Sequence, residues 1–393
     1  MSWMQIKHNL LFAFAKVFLT IKPRRSATYQ VFGGDNSSHQ LLAYIGRQGL
    51  KRLLIVTDKP LVDLGIVGQV LKGLENTGVE AFVYDGVLPD PTFAVCSDGL
   101  AVYRNNQCDS ILAIGGGSSI DAAKLIAIGA TNAGDLESFA GTKFSEDPTP
   151  LFAIPTTSGT GSEATAGAVI SSNDDHKKSI IGDDRMLPKA SALDPTLLTG
   201  LPPHITAATG MDALTHAIEA YISDLNFGDC KAKGAAAIKI IFKQLPLAYE
   251  DGSDKGVRDA MANAAYMAGQ AINQVNVGNV HAIAHQLGAI YGIPHGLANA
   301  MVLPHVLDLS LPAARTELTE IAQMIGCNTA EDFITAVRAL NERVGIQTTA
   351  EKLDRKDFAL IVERAVAEGF GYGSPHLLTA DECTAILTKL LPQ

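Results

Sequence analysis

Cysteine is scarce in this 393-residue chain: Cys96, Cys108, Cys230, Cys327 and Cys383 are scattered, odd in number and form no CxxC pair. That excludes a disulfide framework and a thiolate zinc site, and it fits a reducing cytoplasm. Aromatics are few (6%), charged residues reach only 18%, and the net charge is −10. An acidic balance argues against nucleic acid or an anionic membrane surface as the main partner. There is no internal repeat and no low-complexity tract. An integral membrane span is not expected either. The apolar stretch Leu10 to Ile21 (LLFAFAKVFLTI) comes after Lys7 and His8, like a short signal sequence. It is too short to cross a bilayer, Lys16 interrupts it, and no small-residue cleavage site comes after it. Residues 1–27 are therefore expected to form a helical extension packed on the protein or on a second subunit.

What is present is a long, apolar, glycine-rich chain, with 47% hydrophobic residues and 36 glycines. Its length exceeds one ordinary core, so two domains are expected. From residue 28 to 195, short apolar runs alternate with helical segments. The runs RLLIVTD (52–58), EAFVYDGV (80–87), SILAIGGG (110–117) and LFAIPTT (151–157) read as buried strands. Helices are expected over Leu61 to Asn76, Ala94 to Asn105 and Ile120 to Thr131. This alternation predicts an α/β domain with a mostly parallel, Rossmann-like sheet covered on both faces. Beyond Thr196 the strand signals stop, and residues 196–393 read as an all-α domain, with Pro195, Pro202 and Pro203 at the boundary.

Two loops carry phosphate-type chemistry. Gly115, Gly116, Gly117 and Ser118 end a strand and open a helix, with Asp121 one turn in. Glycines let a ligand approach the backbone, and a helix start presents N–H groups and a positive dipole end, which suits a pyrophosphate. A tight strand-to-helix turn would look the same. The second loop, Pro155 to Ser162, holds Thr156, Thr157 and Thr160 and is dense in hydroxyls and glycines. It reads either as donors to phosphate and ribose oxygens or as an ordinary polar loop capping the next helix. Asp58 closes an earlier strand, where it can accept ribose hydroxyls and repel a 2′-phosphate, favouring NAD over NADP, or cap the next helix. It precedes the glycine loop by about sixty residues, whereas the usual dinucleotide fingerprint has its acid about twenty residues after.

The densest chemistry lies between residues 212 and 295. Asp212/His216 and His281/His285 are i, i+4 pairs, and His295 lies a little further on; six of the ten histidines fall between His204 and His305. On helices each pair shares one face. Facing helices of this kind could offer one oxygen and several imidazoles to a divalent cation, a donor set suited to iron, zinc or nickel. A single histidine on an apolar face is as often a satisfied core residue. Spacing alone does not say which of His281 and His285 would be a ligand.

In order, Val56-Thr57-Asp58-Lys59, GGGSSIDAAK (115–124), PTTSGTGSEAT (155–165), TAATGMDALTHAIEAY (206–221) and HAIAHQLGAIYGIPHGLANAMVLPH (281–305) resemble the iron-containing (group III) alcohol dehydrogenases. That fold is related to dehydroquinate synthase and glycerol dehydrogenase. The resemblance spans residue 28 to the C-terminus, and it implies specific roles. Asp212, His216, His281 and His295 match the family's metal ligands, and His285 a histidine beside nicotinamide and substrate. Gly115, Gly116, Gly117, Ser118 and Asp121 match the pyrophosphate loop. Thr156, Thr157 and Thr160 match the hydroxyl loop, Lys178 a cofactor-contacting lysine with Lys177 next to it, and Asp58 the acid associated with NAD preference. Where the family often has Pro-Asn-Pro this chain reads Pro89-Asp90-Pro91, and the apolar leader is an addition.

The implied activity is hydride transfer between NAD(H) and a primary alcohol or diol and its aldehyde, with Fe(II), or zinc, as Lewis acid and His285 relaying the proton. A polyol dehydrogenase of the same fold and a non-catalytic nucleotide-binding structural protein are the alternatives. A dehydroquinate synthase-like lyase would need basic residues that the metal-flanking helices almost lack. The expected partners are a small alcohol or aldehyde and further copies of the chain, as a homodimer or higher homo-oligomer, in the cytoplasm.

Overall fold

The structure, a computed structural model, describes residues 29–141, 143–174 and 177–392. The expected helical extension, residues 1–27, lies outside them. The chain forms two compact units. Of the described residues, one comprises those up to Leu201 together with Gly252–Tyr266; the other comprises Pro202–Asp251 and those from Met267 onward.

The first unit is built on β1 (Gln30–Gly33), β2 (Arg52–Val56), β3 (Glu80–Tyr84), β4 (Ser110–Gly115), β5 (Leu151–Pro155), β6 (Gly167–Ser171), β7 (Lys178–Gly182) and β8 (Ala190–Leu193). Six of these form a sheet in the order β1-β8-β5-β4-β2-β3, parallel at every pairing, while β6 and β7 form a separate antiparallel hairpin. The four apolar runs lie in this sheet as β2, β3, β4 and β5. Period two sends their side chains to opposite faces. Leu54, Val56, Ile111 and Ala113 join one cluster, which includes Leu100 and Tyr103 of α4 (Phe93–Asn105) and Ile120 and Ile126 of α5 (Gly117–Thr131). Leu53, Ile55, Leu112 and Ile114 join the other, with Leu41, Leu42 and Ile45 of α1 (Ser37–Gly46). Both faces are covered, which is why these strands read as continuous apolar runs.

Two details depart from the sequence reading. The helix expected over 61–76 is broken into α2 (Lys59–Asp63), α3 (Ile66–Leu71) and a 3-10 turn, because Gly65 takes φ +75. Strands β1, β6, β7 and β8 were not expected; β1 and β7 alternate too weakly and are largely solvent-facing, with buried positions rare.

In the second unit, every regular element among the described residues is helical: α6 (Pro203–Ile222), α7 (Cys230–Glu250), part of α8 (Lys255–Val275), α9 (Asn279–Tyr291), α10 (His295–Met324), α11 (Ala330–Arg343), α12 (Phe358–Gly369) and α13 (Ala380–Lys389). Gly234 lets α7 approach α6 closely, since a Cβ there would lie 2.9 Å from the Ala217 carbonyl oxygen. Helix α10 is the one described helix long and apolar enough to cross a membrane, but 61% of that window is buried inside the fold. It is a core helix, with Pro312 and a non-helical Ala314 marking a kink.

One buried cation ties the first unit together. Lys124 on α5 is fully buried, and its Nζ donates to Ser162 Oγ (2.8 Å), Thr165 Oγ1 (3.0 Å) and the Gly167 carbonyl (2.6 Å), with Asp121 Oδ1 at 3.7 Å. Lys124→Met should strip Asp121 of its counter-charge and leave three acceptors unmet, costing about 3 kcal/mol. Chemical denaturation should read this as a lower midpoint, and an unchanged midpoint would remove the lysine from the account of stability.

Candidate metal centre and nucleotide loops

Helix α6 places Asp212, His216 and Glu219 at i, i+4 and i+7, on one buried face. Helix α9 carries His281 and His285, and His295 is the first residue of α10. Ligand atoms of Asp212, His216, His281 and His295 all lie within 4.8 Å of one another. Around the single oxygen Asp212 Oδ1, the three Nε2 atoms stand at 3.8 Å (His216), 3.9 Å (His281) and 3.5 Å (His295). A tetrahedral cation with bonds of about 2.1 Å has donor–donor edges of about 3.4 Å, so the spacing accepts a first-row metal with little adjustment. One carboxylate and three neutral imidazoles suit iron, zinc or nickel. Asp212, His216 and His281 are almost fully buried, so a charged occupant would be screened from water.

Glu219 had no role in the sequence reading, yet it orders the set. Its Oε2 lies 2.6 Å from His281 Nδ1, and its two oxygens accept the Gly278 (2.8 Å) and Val280 (2.7 Å) backbone N–H groups at the start of α9. An ionised carboxylate can only accept, so His281 carries its proton on Nδ1 and turns the Nε2 lone pair toward Asp212. Burial pushes the His281 imidazolium down, but Glu219, Asp212 and Glu368 outweigh it and hold its pKa above the ordinary value. A cation taking the Nε2 lone pair reverses that balance. Asn299, one turn after His295, donates from Nδ2 to Asp212 Oδ1 (2.7 Å) and sits 3.0 Å from His281 Nε2. Both residues were readable in principle, Glu219 as i+7 from Asp212 and Asn299 as i+4 from His295. Gly296 is required for close approach: a Cβ there would lie 2.3 Å from the Ala208 carbonyl oxygen and push His295 away from α6.

His285 lies beside the four donors without joining them. Its ring stacks on His295 (centroids 5.3 Å apart, 20°) and meets His281 edge-on (5.7 Å, 73°). Its Nδ1 is 2.5 Å from Glu368 Oε1. Burial pushes the Glu368 carboxyl up, but His285, Tyr372 and His281 together hold it below its usual value.

The first unit holds the other candidates, most of them beyond the carboxyl ends of its parallel strands. The chain passes from β2 to β3 on one side and then to β4 on the other, so the winding reverses between β2 and β4, where α/β sheets bind ligands. Asp58 comes after β2, the glycine loop after β4, and the hydroxyl loop after β5. No side chain caps the α5 start at Gly116. The two loops touch: Thr156 N–H donates to the Gly115 carbonyl (3.0 Å), and a Cβ on Gly117 would lie 2.6 Å from Thr160 Cγ2. Ser118 stands in the first turn of α5, Thr157 and Thr160 are partly exposed, and Thr156 is buried. The Ser158 hydroxyl in the same loop is buried without a protein partner, as a site for a polar ligand would leave it.

Three residues have protein engagements of their own. Asp58 Oδ1 caps α2 through Leu61 N–H (3.0 Å), and burial, partly offset by that bond, pushes its carboxyl up. Asp121 accepts from Ser162 Oγ and from Val169 N–H (2.9 Å), bracing the hydroxyl loop and β6 against α5. Lys178, mostly buried on β7, pairs with Asp90 Oδ1 at 3.1 Å. The residue that departs from Pro-Asn-Pro thus meets the candidate cofactor lysine.

Residues 28–195 match the family described as iron-containing alcohol dehydrogenase, and residues 206–391 its C-terminal domain. The chain belongs to the iron-containing alcohol dehydrogenases. Alcohol dehydrogenase 4 of Saccharomyces cerevisiae is 39% identical over 365 residues, covering 91% of this chain and 96% of that protein. A solved 1,3-propanediol oxidoreductase superposes with a TM-score of 0.89 at 39% identity, over 92% of this chain and 98% of that one. A sulfoacetaldehyde reductase from Bifidobacterium kashiwanohense, solved in complex with NAD+, reaches 0.86 at 28% identity, over 92% and 96%.

In this alcohol dehydrogenase, Glu219→Gln should keep the shape and lose the charge that fixes the His281 tautomer. Metal affinity, measured by chelator competition, should fall about ten- to a hundredfold with the fold retained. Unchanged affinity would show that Glu219 serves only the α9 start.

Proposed function

We propose that this enzyme transfers a hydride between NAD(H) and a primary alcohol or diol and its aldehyde. The observation that carries the proposal is the convergence of Asp212, His216, His281 and His295 donors within 4.8 Å. These residues would hold Fe(II), and the same set accepts zinc. NAD would lie against Gly115, Gly116, Gly117 and Ser118 with its pyrophosphate, and against Thr156, Thr157, Thr160 and Lys178 farther along. The first unit is thus the nucleotide-binding domain and the helical unit the metal-binding one. When bound, the cation supplies Lewis acidity toward an alcohol oxygen and NAD supplies the hydride acceptor.

The protein's own residues have distinct tasks in this reading. His285 takes the alcohol proton at Nε2 on oxidation and returns it on aldehyde reduction, a role suited to neutral imidazole. Glu219 aims His281, and Asn299 holds Asp212 Oδ1 in place. Asp121 positions the hydroxyl loop instead of facing a pyrophosphate, whose charge it would repel. The likeness to a 1,3-propanediol oxidoreductase brings diols into the substrate class beside simple alcohols. We also place the enzyme in the cytoplasm, supported by five free cysteines, four of them buried. Assembly as a homodimer or larger oligomer is supported by β1, an edge strand among the described residues, where Val31 is 37% exposed.

NADH formation on a panel of primary alcohols and diols tests the proposal. Chelated protein should be inactive, anaerobic Fe(II) should restore turnover, and His281→Ala should bind no metal while staying folded. Full turnover by metal-free His281→Ala would sink it. Asp58→Ser keeps a capping oxygen but removes the charge, so the kcat/KM ratio of NADP to NAD should rise at least about tenfold. A constant ratio would confine Asp58 to its capping role.

A further inference from the structure

Two carboxylate–imidazole pairs stand one helical turn apart on α9. Glu219 serves His281; the second pair, Glu368 with His285, serves a ring outside the four-donor set. Both Glu368 oxygens are engaged. Oε1 receives His285 Nδ1 at 2.5 Å and the Tyr372 hydroxyl at 2.6 Å, and Oε2 receives Gln286 Nε2 at 2.8 Å. Tyr372 is buried to 3% exposure.

The backbone brings this carboxylate into place. Glu368 lies in the last turn of α12, and the next residue is Gly369, where a Cβ would stand 2.9 Å from Asn279 Oδ1 and 3.6 Å from Ala282 Cβ. Only a residue without a side chain lets the end of α12 come this close to α9.

We infer that Glu368 is a positioning residue for hydride transfer: its carboxylate locks His285 in the tautomer with Nδ1–H, leaving the Nε2 lone pair to receive the alcohol proton. The chemistry is set by the donor inventory. An ionised carboxylate has no proton to give, so the shared proton belongs to Nδ1, and a neutral ring must then be an acceptor at Nε2. Without Glu368 the two tautomers compete, and a fraction of molecules present N–H where an acceptor is needed. The inference rests on the role proposed for His285, and the tests separate the two.

The decisive variant is Glu368→Ala in the full-length, metal-loaded enzyme, with His285→Ala and the double variant beside it. In Glu368→Ala, kcat for alcohol oxidation should fall about a hundredfold, the scale of general acid–base assistance. KM for NAD and metal content should stay near those of the parent; the melting temperature should fall, because three buried donors lose their acceptor, so rates are compared well below it. The double variant should be no slower than His285→Ala, since the carboxylate acts through the ring. Histidine 15N NMR of the Zn(II)-loaded protein should show the Nδ1–H tautomer for His285 and its loss in Glu368→Ala. Tyr372→Phe, which leaves the His285 contact intact, should retain most of kcat. Parent-like kcat in Glu368→Ala, a loss accounted for by lower metal content, or an Nε2–H tautomer in the parent would overturn the inference. If His285→Ala itself turns over normally, the histidine's role falls, and the Glu368 inference with it. If His285→Ala is slow and Glu368→Ala is not, only Glu368 is excluded.

Discussion

The Glu219 carboxylate is the interaction on which the metal centre depends. It receives two backbone N–H groups from the start of α9 and the Nδ1 of His281, all while buried. A buried charge is tolerated only when its oxygens are fully engaged, and these partners engage them. The same contacts set the rotation of α9 about its axis against α6, so His281 Nε2 faces Asp212 and His285 comes out one turn on, beside the donors. Gly278 keeps this geometry open, because a Cβ there would lie 2.8 Å from Glu219 Oε1.

The nucleotide unit solves a different problem, that of holding two loops still. Its means are Asp121 and Lys124, one turn apart on α5. The carboxylate accepts from Ser162 and Val169, while the buried ammonium donates to Ser162, Thr165 and Gly167. Burial pushes the Lys124 ammonium toward neutrality, and Asp121 and Glu163 oppose that; Glu163, buried in turn, is pushed up to about 7. The hydroxyl loop is therefore pinned from beneath by charges, leaving Thr157 and Thr160 partly exposed.

Much of this molecule is legible in one dimension. The apolar runs of the sheet stand out because both of its faces are covered, and the all-helical second half shows by the absence of such runs. Spacing at i, i+4 marks Asp212 with His216 and His281 with His285, and the resemblance of a long motif to a family singles out His281 and adds His295. Short periods are local, and local order survives in sequence.

What only the tertiary structure decides is which distant residues meet. Glu368 is 83 positions from His285 and has no spacing that links them. Lys178 meets Asp90 because the β6–β7 hairpin is bridged to the loop after β3 by Thr92 and Ser171. Residues 252–266 lie within the stretch expected to be the all-α domain, yet they belong to the first unit. Arg258 donates to the Leu201 carbonyl, Lys255 pairs with Asp35, and Tyr266 packs on Tyr29. A sequence shows that a helix has an apolar face, but not which core covers it. Burial energy scales with area and carries no address, so hydrogen bonds and ion pairs between distant segments make the choice.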